Sequence, residues 1–444
     1  MTASTWLKIY RLRLLDSIRH SALLRKGNSI RLIARAVFSG PGPKSARWWC
    51  QALGFDLKRS VNPRALARMK ERFPFHGNGD FWASVVRDLP RYREPLATDP
   101  ALTRSILLKA PGAGGEKGVL LMLFEYNWMR LFCGLSNEEF QWLEERFDFI
   151  FSTSWSPTDY AALAFILAKS RGPVFVQPCN FRESGKLSEF DPRIAVLDSL
   201  PCDWINPDGY PPHEGSRPID FLMVANWGEF KRHWDFFLAL RKLPADLRVV
   251  LVGQKEGGRD AEFIRRLAAE IGVPQRLEIH QSLPIDEVAA LQSQAKVSLI
   301  FSRREGCCVA AVESLFAGCA LGMRADAHVG PLDYINERTG LRLRPGHLAE
   351  DLQKLLEISS NLEPAAWARE HVSCFITHEK LNRQLIASAQ DRGLPWTRDL
   401  AIPHWRPYPC YLRAADAEAM RPVYEDLHSR FPAVFPEFRT LFPG

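Results

Sequence analysis

The sequence predicts an α/β fold with two doubly wound domains, and three observations predict it. Short apolar runs alternate with helical patterns over most of residues 101–360, the alternation that builds a parallel sheet flanked by helices. A turn-rich linker, Tyr210-Pro-Pro-His-Glu-Gly-Ser-Arg-Pro218, divides that alternation in two. The stretch around Phe301–Met323 (FSRREGCCVAAVESLFAGCALGM) holds the whole unit. The apolar run Val297–Phe301 leads into a polar turn, a helical pattern stopping at Gly318, and a second apolar run, Ala320–Met323. Such a turn sets a helix N-terminus, with free N–H groups and a positive dipole end, at the ends of strands, which suits a phosphate.

At 444 residues the chain holds two or three domains, and 46% apolar residues suffice for packed cores. The net charge of +7, from 58 basic and 51 acidic residues, is too balanced to point to nucleic acid. It is uneven, however: residues 1–50 carry ten Lys and Arg against one acid, Asp16. The nine cysteines are scattered, form no CxxC and have no zinc spacing, so free thiols in a reducing cytoplasm are expected. No stretch has the length and apolarity of a membrane span, and no secretory signal is expected.

In chain order, residues 1–40 form a basic amphipathic helix region, with Leu7, Tyr10, Leu14, Ile18 and Ala22 at roughly helical spacing. Two readings fit: attachment to an anionic membrane surface, or a helix packed on the protein with a solvated basic face. A transit peptide is a third, weakened by sparse Ser. Residues 40–100 read as short helices and loops without assigned chemistry, and His76 as part of a surface turn. The first doubly wound, Rossmann-like domain spans 41–212. Its strands are Ser105–Lys109, Gly118–Phe124, Phe147–Phe151, Pro173–Gln177 and Ile194–Leu197, with helices at Glu138–Arg146 and Thr158–Lys169. Pro111–Gly118 matches neither a dinucleotide fingerprint nor a P-loop and reads as a hairpin loop. The loops 124–128, 152–157 and 177–183 follow strands, where an acceptor pocket would form.

The second domain, 218–362, starts with the strand Ile219–Ala225 and the helix Phe230–Leu243. Then come a strand at Arg248–Val252 ending in Gly253, the helix Asp260–Ile271 capped by Gly272, a strand at Leu277–His280 and the helix Ile285–Ala295. After the stretch already described, Asn336–Gly340 is a turn and His347–Ile358 a helix. Residues 363–444 hold a helix over about 365–391 and a Pro- and aromatic-rich tail, with Trp396, Trp405 and Tyr408 to bury. That tail is expected to cross back over the body.

The second domain resembles the donor domain of family 4 retaining glycosyltransferases, which have the GT-B fold: two Rossmann-like domains facing across a cleft. The resemblance lies in IDFLMVANWGEFK (Ile219–Lys231), VVLVG (Val249–Gly253), the Glu-x7-Glu pattern of Glu305 and Glu313 with its trailing Ala-x-Gly, and the Thr-Gly turn at 336–340. It covers residues 218–360. It implies transfer of a sugar from a nucleotide diphosphate sugar to a glycan or lipid-linked acceptor in envelope or polysaccharide assembly, with no cofactor and no metal. It implies that Glu305 sits by the donor sugar and β-phosphate, that Glu313 binds the ribose hydroxyls and that Lys231 neutralises the departing diphosphate. The backbone of Cys307, Cys308 and Val309 would cap that diphosphate, and Gly253 would line the donor site. Fixed cations and dipoles aimed at charge that builds on a leaving group lower the barrier.

The sequence departs from the family pattern at several points. Asn226 stands where members often have Arg, so one diphosphate contact is missing or comes from Arg232, Arg303 or Arg304; Cys307-Cys308 replaces an aromatic-Gly; and no His of the first domain matches. Each residue also has a plainer reading. Glu305 would be an acid favoured by the helix dipole, Glu313 a solvated helix residue, Lys231 and Arg232 a surface pair, and the cysteines small residues at a tight turn. A non-catalytic protein that binds a nucleotide sugar or an envelope partner is the rival class, and an epimerase the third. The expected place is the cytoplasm, with peripheral attachment to the inner membrane face through the basic N-terminus.

Overall fold

A computed structural model describes residues 3–97, 105–211, 213, 215–405 and 408–441. Pro212 and Glu214 of the linker, residues 101–104 at the expected start of the strand series, and 406–407 and 442–444 of the tail lie outside the described residues. The chain is α/β and divides into two compact units, 19–201 with 377–444 and 1–18 with 202–376. These bounds differ from those expected. The first helix joins the C-terminal unit, and the last 68 residues return to the N-terminal one.

The basic N-terminal region is two helices, α1 (Ala3–His20) and α2 (Ala22–Phe38), where the spacing had suggested one. Ser21 makes the break: its hydroxyl accepts from the Leu24 N–H and caps α2. Helices α3 (Pro43–Phe55), α4 (Pro63–Arg72), α5 (Gly79–Arg87) and α6 (Pro90–Ala97) follow. A five-stranded sheet comes next: β1 (Ser105–Lys109), β2 (Gly118–Leu123), β3 (Phe147–Ser152), β4 (Val174–Gln177) and β5 (Ile194–Val196). Its helices are α7 (Glu125–Gly134), α8 (Asn137–Arg146), α9 (Tyr160–Lys169) and α10 (Ser184–Phe190). The first two strands form the expected hairpin and the rest run parallel, standing side by side in sequence order. Strands β1–β4 are buried along their whole length, which is why they read as mostly apolar runs, with Lys109 and Asp148 as buried charged exceptions. The segment 124–128, expected as a loop, opens α7 instead.

The C-terminal unit has six parallel strands, β6 (Ile219–Val224), β7 (Val249–Gly253), β8 (Leu277–Gln281), β9 (Ala295–Ile300), β10 (Ala320–Arg324) and β11 (Gly340–Leu343). Their order is β11-β10-β9-β6-β7-β8, so the chain starts at the centre, winds to one edge, returns and winds to the other. Helices α11 (His233–Leu240), α12 (Ala261–Ile271), α13 (Ile285–Ser293), α14 (Val309–Phe316) and α15 (Leu348–Ile358) connect them. Gly272 takes the left-handed φ of 79° and caps α12, as its place after the last apolar residue predicts. Ile9 of α1 is fully buried in this core beside Phe221, Phe236 and Leu251, so α1 is a working part of the unit.

The remainder forms α16 (Pro364–His371), α17 (Cys374–Asp391), β12 (Pro403–Trp405), β13 (Pro409–Tyr411), α18 (Ala414–Arg430) and α19 (Phe438–Leu441). The tail crosses back as expected, onto β1 of the N-terminal unit. Lys109 and Glu116 form a buried ion pair (2.7 Å), and Glu116 also accepts from the Thr397 N–H and hydroxyl. At the open edge of β1, the Tyr424 hydroxyl accepts from the Leu107 N–H (2.8 Å) and the Tyr411 hydroxyl donates to the Leu107 carbonyl (2.7 Å). Side chains thus satisfy an edge that would otherwise need another strand. No helix among the described residues is long and apolar enough to cross a membrane.

Tyr424→Phe removes the acceptor from the Leu107 N–H inside a dry contact. It is expected to cost about 1–3 kcal/mol, the penalty of an unsatisfied buried amide, read as a lower urea midpoint at unchanged slope.

Candidate functional site

A ligand crevice in an open parallel sheet forms where strand order reverses. In the C-terminal unit that point lies between β6 and β9. A cavity of about 300 Å³ opens there, lined at the strand ends by Asn226, Gly253 and Gln254, and beyond β9 by Glu305, Cys308 and Val309. Lys231 reaches it from the loop after β6, and Ser282 from the end of β8. Gly253 is required sterically: a Cβ there would stand 2.2 Å from the Ala225 carbonyl oxygen, across the β6–β7 pair.

Lys231 and Glu305 meet in a direct ion pair, their side chains only 12% and 9% exposed. Burial pushes the Lys231 ammonium below its ordinary pKa. Beside the pair, α14 starts without a side-chain cap, because its N-cap residue is Cys308. The first N–H groups of a helix have no intrahelical acceptor, so those of Val309 and Ala310 are donors at the cavity wall. Cys308 takes the left-handed φ of 47°, a conformation natural to glycine and costly for other residues. Arg232 and Ser282 do the same, each at φ 60°. Of the four non-glycine residues with positive φ among the described residues, three therefore lie in or next to this cavity. Backbone strain of this kind persists where the surroundings hold it, and it clusters at functional sites.

Of the residues singled out from the sequence, the structure brings Lys231, Asn226, Gly253, Glu305, Cys308 and Val309 together. Cys307 is buried next to the cavity without lining it. Glu313 also lies off the lining, in the second turn of α14. Tyr210 and Gln292 hydrogen-bond its carboxylate, and burial raises its pKa despite them. The side-chain oxygen of Asn226 accepts from the Gly228 N–H (3.2 Å). Ser282 and Gln254 were missed, although each directly follows a strand that the sequence shows. His233, next to the loop, is fully buried. Burial, then Lys231 and Arg259, lower its pKa to about 3, so it is neutral at ordinary pH.

Arg232 and Arg303, expected at a diphosphate, do not line the cavity. They belong to a closed ring of three arginines and three aspartates. Asp16 of α1 binds Arg232 and Arg303 (2.9 Å to the latter); Arg232 also binds Asp235 (2.8 Å); Asp235 binds Arg324; Arg324 and Arg303 both bind Asp326 (3.0 Å each). Burial alone would raise the Asp16 pKa, but Arg232 and Arg303 outweigh it and hold the carboxylate below its ordinary value. The reason for the difference is reach: Asp16 arrives from 216 residues upstream and takes both guanidinium groups.

Residues 212–368 match the family described as glycosyl transferases group 1. No curated protein matches. Among solved structures, sucrose-phosphate synthase from Thermosynechococcus elongatus is similar at 18% identity and TM-score 0.47, covering 61% of this chain and 74% of that one. TarM of S. aureus, solved with UDP, is similar at 13% identity and TM-score 0.45 over 61% of this chain, which spans only 54% of TarM. HepE of Anabaena, solved with UDP and glucose, is similar at 14% identity and TM-score 0.41, over 56% of this chain and 80% of that one.

Asp16→Asn opens the ring and leaves buried guanidinium charge undercompensated, with an expected loss of the order of 3 kcal/mol. The folded pKa of Asp16 is depressed, so its contribution is present above the unfolded value of 3.8 and is lost as pH falls through the folded value. Denaturation of both chains across pH 2–7 checks this: the gap between them is constant near neutrality and closes in acid.

Proposed function

We propose that the chain is a GT-B-type glycosyltransferase. In this reading it moves a sugar of the hexose class from a nucleotide diphosphate sugar to a glycan or lipid-linked acceptor.

 The transfer keeps the anomeric configuration and needs no metal ion. The observation that carries this reading is the cavity at the strand reversal, where the buried Lys231–Glu305 pair meets the uncapped start of α14. The match of residues 212–368 to group 1 glycosyl transferases supports it.

In the proposed reaction the diphosphate replaces Glu305 as the partner of Lys231 and accepts from the N–H groups of Val309 and Ala310. The bond from sugar C1 to the β-phosphate oxygen breaks through an oxocarbenium-like state. The acceptor oxygen bonds to C1, and its proton passes to the leaving diphosphate. Lys231 and the helix start hold positive charge where the negative charge grows. Glu305, released from Lys231, faces the sugar. The assignment of Glu313 to the ribose requires its carboxylate to exchange Tyr210 and Gln292 for the diol.

The acceptor belongs, in this reading, to polysaccharide or envelope assembly at the inner membrane face. Helix α1 supports the membrane part. Thr5, Ile9 and Asp16 face the protein, while Trp6, Tyr10, Leu14 and Ile18 recur every four residues on the opposite side, 54%, 62%, 47% and 47% exposed. Arg11 and Arg13 are exposed on the same helix, and its one acid, Asp16, is held in the ring. An apolar stripe with basic neighbours suits an anionic bilayer surface. A protein that only binds a nucleotide sugar is the second reading, favoured by Asn226 in place of an Arg and by a Lys231 already paired with Glu305.

UDP, GDP and their sugars are expected to include at least one ligand that raises the melting temperature. Lys231→Ala should weaken that ligand about tenfold or more, as expected when a charged contact is lost. A donor hydrolysed slowly by the native chain and not by Glu305→Gln identifies an enzyme; nucleotide binding without turnover identifies the second reading. No response to any nucleotide would sink both. Separately, Tyr10→Glu with Leu14→Glu should abolish co-sedimentation with phosphatidylglycerol vesicles, and a native chain that stays in the supernatant would remove the membrane part.

A further inference from the structure

The N-terminal unit holds a second cavity, of about 570 Å³, within the size range of roughly 300–1,000 Å³ common for small-molecule sites. It lies in the helical layer, between α2, α3 and the loop into α4, and no step proposed above uses it. Much of its lining is apolar: Ile30 and Ile33 of α2, Trp49 and Leu53 of α3, and Val61, with Ser29, Ser60 and Asn62 between them. Four cations also line it, Lys26, Lys58, Arg64 and Lys186, against one acid, Asp56.

Two details set this cavity apart from a packing defect. Trp49 is 2% exposed, yet its indole N–H has no partner among the described residues. Lys186 is equally buried and is held at the wall by the carbonyls of Leu53 (2.9 Å) and Asp56. The Lys186 ammonium is thus met by carbonyls, whereas the buried indole N–H lacks a partner, and such a group is costly unless something polar meets it. In contrast, Lys26, Lys58 and Arg64 are exposed and form a cationic rim.

The surface outside continues the pattern. On α2, Leu23, Lys26, Ile30, Ile33 and Val37 share one face by their spacing, and Leu23 and Ile30 are well exposed. An apolar path therefore runs along α2 into the cavity wall, bordered by positive charge. We propose that this cavity binds an amphiphile with an anionic head and an alkyl tail. The tail lies against Ile30, Ile33 and Leu53, and the head is held by Lys58 and Arg64 at the rim. The site is independent of the nucleotide reading, since none of its residues lines the cavity at the strand reversal.

Calorimetric titration of the full chain with dodecyl phosphate, below its micelle concentration, tests the proposal. Saturable one-to-one binding is expected. Lys58→Glu with Arg64→Glu, both at exposed positions, should weaken it at least about tenfold, since each charged hydrogen bond contributes a comparable factor. Ile33→Trp, which fills the channel from a half-buried position, should abolish it. Dodecyl maltoside binding as tightly would refute the anionic head, and orthophosphate binding as tightly would refute the tail. Absence of saturable binding, or unaltered binding by the double charge reversal, overturns the proposal even if Ile33→Trp does not fold.

Discussion

The closed ring of Asp16, Arg232, Asp235, Arg324, Asp326 and Arg303 is the constraint on which the C-terminal unit depends. Each charge has two opposite neighbours, and that arrangement is what offsets the cost of taking guanidinium and carboxylate groups out of water. The ring joins α1, the start of α11, the end of β10 and the turn after β9. Lys231 precedes one ring member and Glu305 follows another by two residues, so the same contacts that close the ring fix both ends of the Lys231–Glu305 pair. Arg232 holds a left-handed φ while contributing two ion pairs, so the ring also maintains the strain of the loop beside the cavity.

The two sheets differ in a way that matters for chemistry. In the C-terminal unit the order reverses at the β6–β9 pair, which parts the flanking loops and leaves a crevice. Among the described residues of the N-terminal unit the strands stand in sequence order, and no reversal opens a crevice of that kind. Its conspicuous cavity lies among the added helices instead. Both units nevertheless follow from the same alternation of apolar strands and helices, because the alternation specifies parallel pairing and not the order in which strands are laid down.

Several local features were legible for physical reasons that need no partner. Buried parallel strands bury both faces, so β2 and β7 show as unbroken apolar runs, while β3 and β9 remain mostly apolar around Asp148, Lys296 and Ser298. Gly272 and Gly318 end helices because left-handed φ is open to glycine. Helix α7 was not legible: its buried face carries Glu125, which accepts from the Ser154 N–H, and Asn127, which donates to the Leu123 carbonyl, so polarity misreports which side is inside. Helix α18 was hidden by Pro422 within it.

The sequence makes the alternation and the break between two sheets legible, because strand ends and the turns after them are local; Lys231, Gly253 and Glu305 are grouped as one site by the family resemblance, and the structure brings them together. The sequence did not determine what Arg232 and Arg303 do. A guanidinium next to a strand end can meet a ligand or a carboxylate, and only the tertiary fold decides which arrives. Here α1 brings Asp16 to both, from 216 residues before Arg232, and the two arginines become part of the frame and not of the cavity lining. No spacing rule spans that separation, since the contact exists only after α1 has buried Ile9 in the core of the distant unit.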